Sequence, residues 1–134
     1  MSRSNFRFAA LFAAAFSLLA VASFARQPLD SQSANPTGKY TLSGGGHLVV
    51  SVDDLGRAEG FFERNGQFGR LSGRLESGVV SATWVQNDGP QACETTVEGS
   101  AHWGQVTLTR SEAGDLDLAW GACQGAPTKL ETAR

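Results

Sequence analysis

The chain has 134 residues, with 13 acidic and 11 basic side chains and a net charge of −2 at neutral pH. Without the N-terminal segment that carries Arg3 and Arg7, nine basic residues face thirteen acidic ones, a net charge of −4. This charge argues against nucleic acid or an anionic membrane as the main partner, because both attract basic surfaces. The length left after that segment suits one small domain.

Residues 1–25 have the three parts of a secretory signal peptide. Arg3 and Arg7 form the basic start, residues 8–21 form an almost uninterrupted apolar run, and residues 23–25 are Ser-Phe-Ala at the expected cleavage site. The rest of the chain has no second apolar run of the length that a membrane anchor needs. We therefore expect a soluble protein, periplasmic or secreted and without membrane insertion, that begins near Arg26.

Residues 26–37 are polar and contain two prolines, which predicts a flexible leader. Residues 38–134 have a different pattern. All sixteen glycines lie there, between short runs rich in Val, Leu, Thr and aromatic residues, and no stretch has a helical period. This pattern predicts a single all-β domain of consecutive antiparallel strands.

Three turns set the register of the strands between His47 and Val85. The loop 54–56 and the pairs Asn65-Gly66 and Ser77-Gly78 each predict a hairpin. Taken independently, the three hairpins place the same apolar residues on one face, and a slip of one residue would break that agreement. The predicted core face consists of Leu48, Val50, Val52, Ala58, Phe62, Leu71, Leu75, Val80, Ala82 and Trp84.

Glycines also lie on this predicted core face, at Gly60, Gly69 and Gly73. They either leave room for large rings from neighbouring strands or ease the twist of the sheet. The residues alone favour neither explanation.

Four more strands are predicted over 39–43, 92–100, 103–110 and 116–123, giving about eight in all. Eight antiparallel strands with one apolar face must close on themselves or fold over. A meander favours a small barrel, and a β-sandwich is the alternative.

Cys93 and Cys123 are the two cysteines of the chain. An even pair in a small exported domain most often forms a disulfide, with free or redox-active thiols as the alternative. Closing a loop of roughly 30 residues contributes about 3–4 kcal/mol to stability. His47 and His102 lie in unrelated contexts, so we expect no metal and no cofactor. No catalytic motif is recognisable, so we expect no enzymatic activity.

Several motifs carry a resemblance to known proteins: Ala82-Thr83-Trp84, Trp103-Gly104-Gln105-Val106-Thr107-Leu108, Trp120-Gly121 and Arg134. On these motifs the chain resembles a loose class of exported bacterial proteins built from Gly/Trp hairpins, a class without assigned chemistry. The meander is also similar to the barrels of avidins and lipocalins. Both resemblances imply a fold and no particular activity.

The polar face of the hairpin 57–74 is the candidate binding site. Four of the nine basic residues that follow residue 25 lie in this hairpin, and the predicted register turns Phe61 and Phe68 towards solvent beside arginines. Exposed aromatics among arginines are typical of recognition surfaces. The alternative is a charged outer face stabilised by cation–π pairs. The candidate residues are Arg57, Glu59, Phe61, Glu63, Phe68, Arg70 and Arg74.

The sequence thus predicts an exported, non-catalytic binding module that contacts a protein or an envelope component through this face. The alternative function is a barrel that carries a small apolar ligand inside, lined by Phe62, Trp84 and Trp120. A small hydrolase comes third. The interior volume separates the first two, because a cavity of about 300 Å³ or more favours the carrier. The identity of the ligand and the oligomeric state stay open.

Overall fold

The computed structural model describes residues 34–134, so the predicted signal peptide and most of the predicted leader lie outside the described residues. All regular structure in this range is β, and no helix there is long and apolar enough to span a membrane. The strands are β1 (Gly38–Thr41), β2 (His47–Val52), β3 (Arg57–Arg64), β4 (Gln67–Glu76), β5 (Val79–Gln86), β6 (His102–Arg110), β7 (Leu116–Trp120) and β8 (Lys129–Ala133).

The eight strands form one antiparallel meander in chain order. The sheet nearly closes into a barrel, because the end of β1 meets β8: Leu42 bridges Ala133, and Thr41 and Arg134 exchange two backbone hydrogen bonds of 2.6 and 3.0 Å. Closure pairs the two outer strands, whose edges an open sheet would expose. The predicted all-β meander is confirmed, and the architecture is a barrel rather than a sandwich.

The register predicted from the three turns is confirmed. Val52 lies opposite Ala58, Phe62 opposite Gly69, and Leu71 opposite Trp84. The two-residue turns at 65–66 and 77–78 have positive φ at both positions. That geometry matches the twist of the flanking strands and therefore holds the pairing in place.

The apolar face predicted for the meander fills the inside of the barrel. Seven of its ten residues are buried, and Val52, Leu75 and Trp84 are half-buried against that core. Val52 and Leu75 lie beside the turns at one end of the barrel, whereas Trp84 lies near the other end. The later strands complete the core with Val106, Leu108, Leu116, Leu118, Trp120 and Ala133.

One predicted strand is wrong and another strand was missed. Residues 92–100 form a loop with a single isolated bridge, between Val97 and Ser100. The eighth strand is β8, whose polar sequence Lys-Leu-Glu-Thr-Ala has neither a turn glycine before it nor an aromatic end. β7 also ends at Trp120, three residues earlier than predicted.

The loop 87–101 folds back over the outside of the barrel. Val85 and Trp103 lie opposite each other on the outer face of β5 and β6, yet both are buried. The indole N–H of Trp103 donates a 2.8 Å hydrogen bond to the carbonyl of Thr95 in the loop. The barrel therefore has a second, smaller apolar cluster outside its wall.

The predicted disulfide is confirmed between Cys93 and Cys123, whose Cα atoms are 5.5 Å apart. It ties the loop 87–101 to the loop 121–128 that follows β7. A 2.8 Å hydrogen bond from the backbone N–H of Cys123 to the carbonyl of Trp103 fixes the same region. Both loops are thereby held at one end of the barrel.

The opposite end is covered by residues 34–37, the last part of the predicted leader. Pro36 is buried, and its carbonyl accepts a 2.8 Å hydrogen bond from the hydroxyl of Tyr40. The carbonyl of Asn35 accepts a 3.0 Å hydrogen bond from Arg110 at the end of β6. The end of the barrel opposite the disulfide is thus covered by residues 34–37.

Candidate functional site

The other end of the barrel holds a pocket of about 540 Å³. Its walls come from the inner faces of the strands, the β3–β4 turn and the loops 87–101 and 121–128. The residues that line it are Phe62, Arg64, Asn65, Gln67, Trp84, Gln86, Gly89, Pro90, Gln91, His102, Trp120, Gly121, Ala122, Ala126, Thr128 and Lys129.

Three aromatic rings form the floor of this pocket: Phe62, Trp84 and Trp120. Each pair packs edge to face, with ring centres 5.4 to 6.5 Å apart. Glycines make space for them, because a Cβ at Gly69 would lie 2.2 Å from Cζ of Phe62, and one at Gly104 would lie 2.7 Å from Nε1 of Trp84. The structure therefore brings together the three residues predicted for an interior ligand site, and it shows that Gly69 leaves room for a ring.

Hydrogen bonds hold both indoles of the floor in place. Nε1 of Trp84 donates to the carbonyl of Gly121 at 2.8 Å, and Nε1 of Trp120 donates to Oε2 of Glu131 at 2.8 Å. Buried indoles need such an acceptor, and here each one also fixes the ring plane. The floor is consequently held in place by hydrogen bonds within the protein.

A partly buried ion pair lies beside the floor. The side chain of Glu131 is only 7% exposed; its Oε2 pairs with Nη2 of Arg64, and its Oε1 accepts a 2.9 Å hydrogen bond from the backbone N–H of Gly44. The guanidinium of Arg64 lies 5.2 Å from the centre of the Trp120 ring. The carboxylate is thus fully engaged by protein donors, as a buried charge requires.

A polar layer lies above the aromatic floor. Each of its residues lies two positions from an inward-facing residue of the same strand. Because side chains alternate between the two faces of a strand, these residues point inward as well. The Nδ1 atom of His102 lies 2.9 Å from the carbonyl oxygen of Gln91, which joins this layer to the loop 87–101. The layer consists of Arg64, Gln67, Gln86, His102 and Lys129.

No family model matches the chain, and no curated protein and no solved structure shows significant similarity to it. The resemblance to exported Gly/Trp-hairpin proteins, avidins and lipocalins therefore stays a prediction. Within residues 34–134, no three His, Cys, Asp or Glu side chains cluster in a way that could hold a metal ion.

The residues predicted for the binding face of the hairpin 57–74 do share the outer face of β3 and β4. Phe61 is 68% exposed and Phe68 is 73% exposed. All three arginines of this face make ion pairs within the chain: Arg57 with Asp53 in the β2–β3 loop, Arg70 with Glu98 in the loop 87–101, and Arg74 with Glu76 at 4.0 Å. The face thus presents two exposed rings, while each of its arginines already has an acidic partner.

The polar layer and the ion pair were missed at the sequence level, for different reasons. Arg64 and Gln86 each lie two residues beyond a predicted core position, so the alternation already turned them inward and could have found them. Lys129 and Glu131 lie on β8, a strand that was not predicted. His102 precedes Trp103 on β6. Only the inward direction of its side chain distinguishes it from a surface histidine.

Proposed function

We propose that this protein binds a small apolar or aromatic molecule in the pocket at the open end of its barrel. The observation that carries the proposal is the pocket of about 540 Å³ floored by Phe62, Trp84 and Trp120. Its volume lies above the roughly 300 Å³ at which small-molecule sites begin, and it combines an apolar floor with a few polar groups. This is the carrier hypothesis of the sequence analysis, and the pocket now favours it over the hairpin face.

Preorganisation also supports binding at this place. The indoles of Trp84 and Trp120 are held by hydrogen bonds, and Gly69 and Gly104 leave space for the rings without strain. A site whose side chains are already fixed loses little conformational entropy when a ligand binds. The rings of a ligand can therefore pack on the floor without rearranging it.

The test uses N-phenyl-1-naphthylamine, an uncharged dye that fluoresces in apolar surroundings. We expect a saturable rise in emission with one site per chain. Ala126→Phe should weaken it, because Ala126 lines the pocket and a phenyl ring there would take up part of its volume. Ala113→Phe is the matched control, since Ala113 is an exposed residue in the β6–β7 loop at the other end of the barrel.

Each protein in this test must first show cooperative unfolding. This control distinguishes dye binding by the folded protein from dye binding by a partly unfolded core. Equal dye binding by wild type, Ala126→Phe and Ala113→Phe would place the dye outside the pocket. The absence of saturable binding by the folded wild type would contradict the proposed function directly.

Recognition of a protein or envelope component by the outer face is a second candidate function. It is supported by Phe61 and Phe68, which are exposed side by side with the arginines of the same hairpin. Aromatic and arginine anchors dominate interface energies. The double variant Phe61→Ala/Phe68→Ala should fold with nearly unchanged stability and lose whatever envelope protein the wild type captures. Intact capture by the folded double variant would exclude this face.

We further propose that the protein acts in the periplasm or outside the cell, and that it binds without catalysis. Export is supported by the signal-peptide pattern of residues 1–25, and the Cys93–Cys123 disulfide is compatible with an oxidising compartment. Isolation of the mature protein from the periplasm or the culture medium, with its N-terminus near Arg26, is the measurement that tests the location.

A further inference from the structure

The lining of the pocket is asymmetric in charge. Arg64 and Lys129 are basic lining residues, and none of the sixteen is Asp or Glu. Asp88, which is not a lining residue, lies with its Oδ1 3.9 Å from Nε2 of His102. The chain as a whole has the opposite balance, with 13 acidic and 11 basic residues. A cationic lining in an acidic protein focuses positive potential at this one end of the barrel.

Glu131, the nearest carboxylate to the floor, does not offset this asymmetry for a ligand. Both of its oxygens are taken by donors of the protein, and its side chain is almost fully buried. Arg64 uses only Nη2 in that pair. Its Nε atom is buried, so the donors left for a ligand are the remaining N–H groups of Nη1 and Nη2.

Lys129 stands where a charged head group could meet the aromatic floor. It is exposed, lies directly opposite Trp120 in the β7–β8 register, and has no salt bridge among the described residues. Directly paired residues on antiparallel strands have Cβ atoms about 5 Å apart. A molecule packed on Trp120 thus lies beside the side chain of Lys129, which lines the same pocket.

We propose that the occupant of the pocket is a small amphipathic anion. Its aromatic or aliphatic body packs on Phe62, Trp84 and Trp120, and its single acidic group, a carboxylate or sulfonate, binds at Lys129 beside Arg64. This inference rests on the proposed function, because it names the ligand class of the same pocket. Neutral molecules of similar shape bind the floor but gain nothing from the rim.

The experiment compares two dyes that share one ring system. 8-Anilinonaphthalene-1-sulfonate carries an acidic group, and N-phenyl-1-naphthylamine does not. Lys129→Glu should raise the Kd of the anionic dye at least about five-fold, because it replaces an attractive charge beside the sulfonate with a repulsive one. The Kd of the neutral dye should change by less than about two-fold, since the floor is untouched.

Lys39→Glu is the matched control for this experiment. It makes the same change in net charge on the exposed outer side of β1, and both dyes should keep their Kd within about two-fold. Added salt should weaken the anionic dye alone.

The outcomes separate the two proposals. Unchanged binding of the anionic dye to Lys129→Glu, or equal weakening by Lys129→Glu and Lys39→Glu, would overturn the anion inference. In either case, saturable binding of the neutral dye would still support the proposed function. If neither dye binds the folded wild type, both proposals are wrong.

Discussion

Gly69 offers a direct test of how the aromatic floor is built. A Cβ at this position would lie 2.2 Å from Cζ and 2.6 Å from Cε1 of Phe62, and 2.8 Å from Cγ of Gln86. Ordinary contacts begin at 3.4 Å, so the ring of Phe62 has to move by about 1.2 Å. It is flanked by Trp120 and Trp84, with ring centres 5.4 and 6.4 Å away, so the shift disturbs two edge-to-face pairs.

The expected cost of Gly69→Ala combines opposing effects. Overpacking a core by one carbon costs about 1–3 kcal/mol, and each disturbed aromatic pair adds up to about 1 kcal/mol. Loss of backbone freedom in the unfolded chain returns about 0.5–1 kcal/mol. Overpacking is the larger effect, so the free energy of unfolding should fall by about 2 kcal/mol, measured by urea denaturation.

A double-mutant cycle identifies the cause of this loss. Leucine has no atom where Cζ and Cε1 of phenylalanine lie, so in the Phe62→Leu background Gly69→Ala should cost less than about 0.5 kcal/mol. Ser72→Ala, on the outer face of the same strand, should be nearly neutral in both backgrounds. The reasoning is refuted if Gly69→Ala is neutral in the wild type, or if it costs the same in both backgrounds.

Two further predictions concern the disulfide and the single tyrosine. Denatured mature protein should show no titratable thiol without reductant, and reduction of Cys93–Cys123 should lower the melting temperature; two thiols in protein isolated under oxidising conditions would contradict the disulfide. Burial raises the pKa of Tyr40 above its model-compound value of 10.0, and the charge of Arg110 partly offsets this. Tyrosinate absorbance should therefore titrate at higher pH in folded than in denatured protein. Because the fold favours the neutral phenol, its stabilisation is complete below about pH 10 and is lost as pH rises through the folded pKa; coincident titrations would contradict the burial.

The parts of the fold that sequence reasoning predicted correctly are those governed by local rules. The turns Asn65-Gly66 and Ser77-Gly78 allow only a narrow hairpin geometry, and the two-residue period of a strand then assigns every side chain to a face. For this reason the pairing of Phe62 with Gly69 and the outward direction of Phe61 could be read from the sequence. The interior positions of Phe62 and Trp84 followed from the same alternation.

The parts that were missed depend on contacts distant in sequence. The loop 87–101 contains residues that suit a strand, but its conformation depends on the hydrogen bond from Trp103 and on the disulfide to Cys123. The disulfide was predicted, whereas its effect on the path of this loop was not. β8 becomes a strand because β7 and the end of β1 both offer it backbone partners. Without that strand, Lys129 and Glu131 could not be assigned to the pocket or to the ion pair beside it.

The disulfide has a consequence for the entrance to the pocket at the open end of the barrel. Cys93 and Cys123 belong to the two loops whose residues Gly89–Gln91 and Gly121–Thr128 supply much of the pocket entrance. Because the disulfide joins these two loops covalently, we expect them to move together. The width of the pocket entrance should then vary little while the disulfide is intact. Under the proposed function, the width of this entrance limits the cross-section of the ligand. Under the proposed function, reduction of the disulfide should therefore raise the rates of both ligand binding and ligand release, while the aromatic floor stays the same.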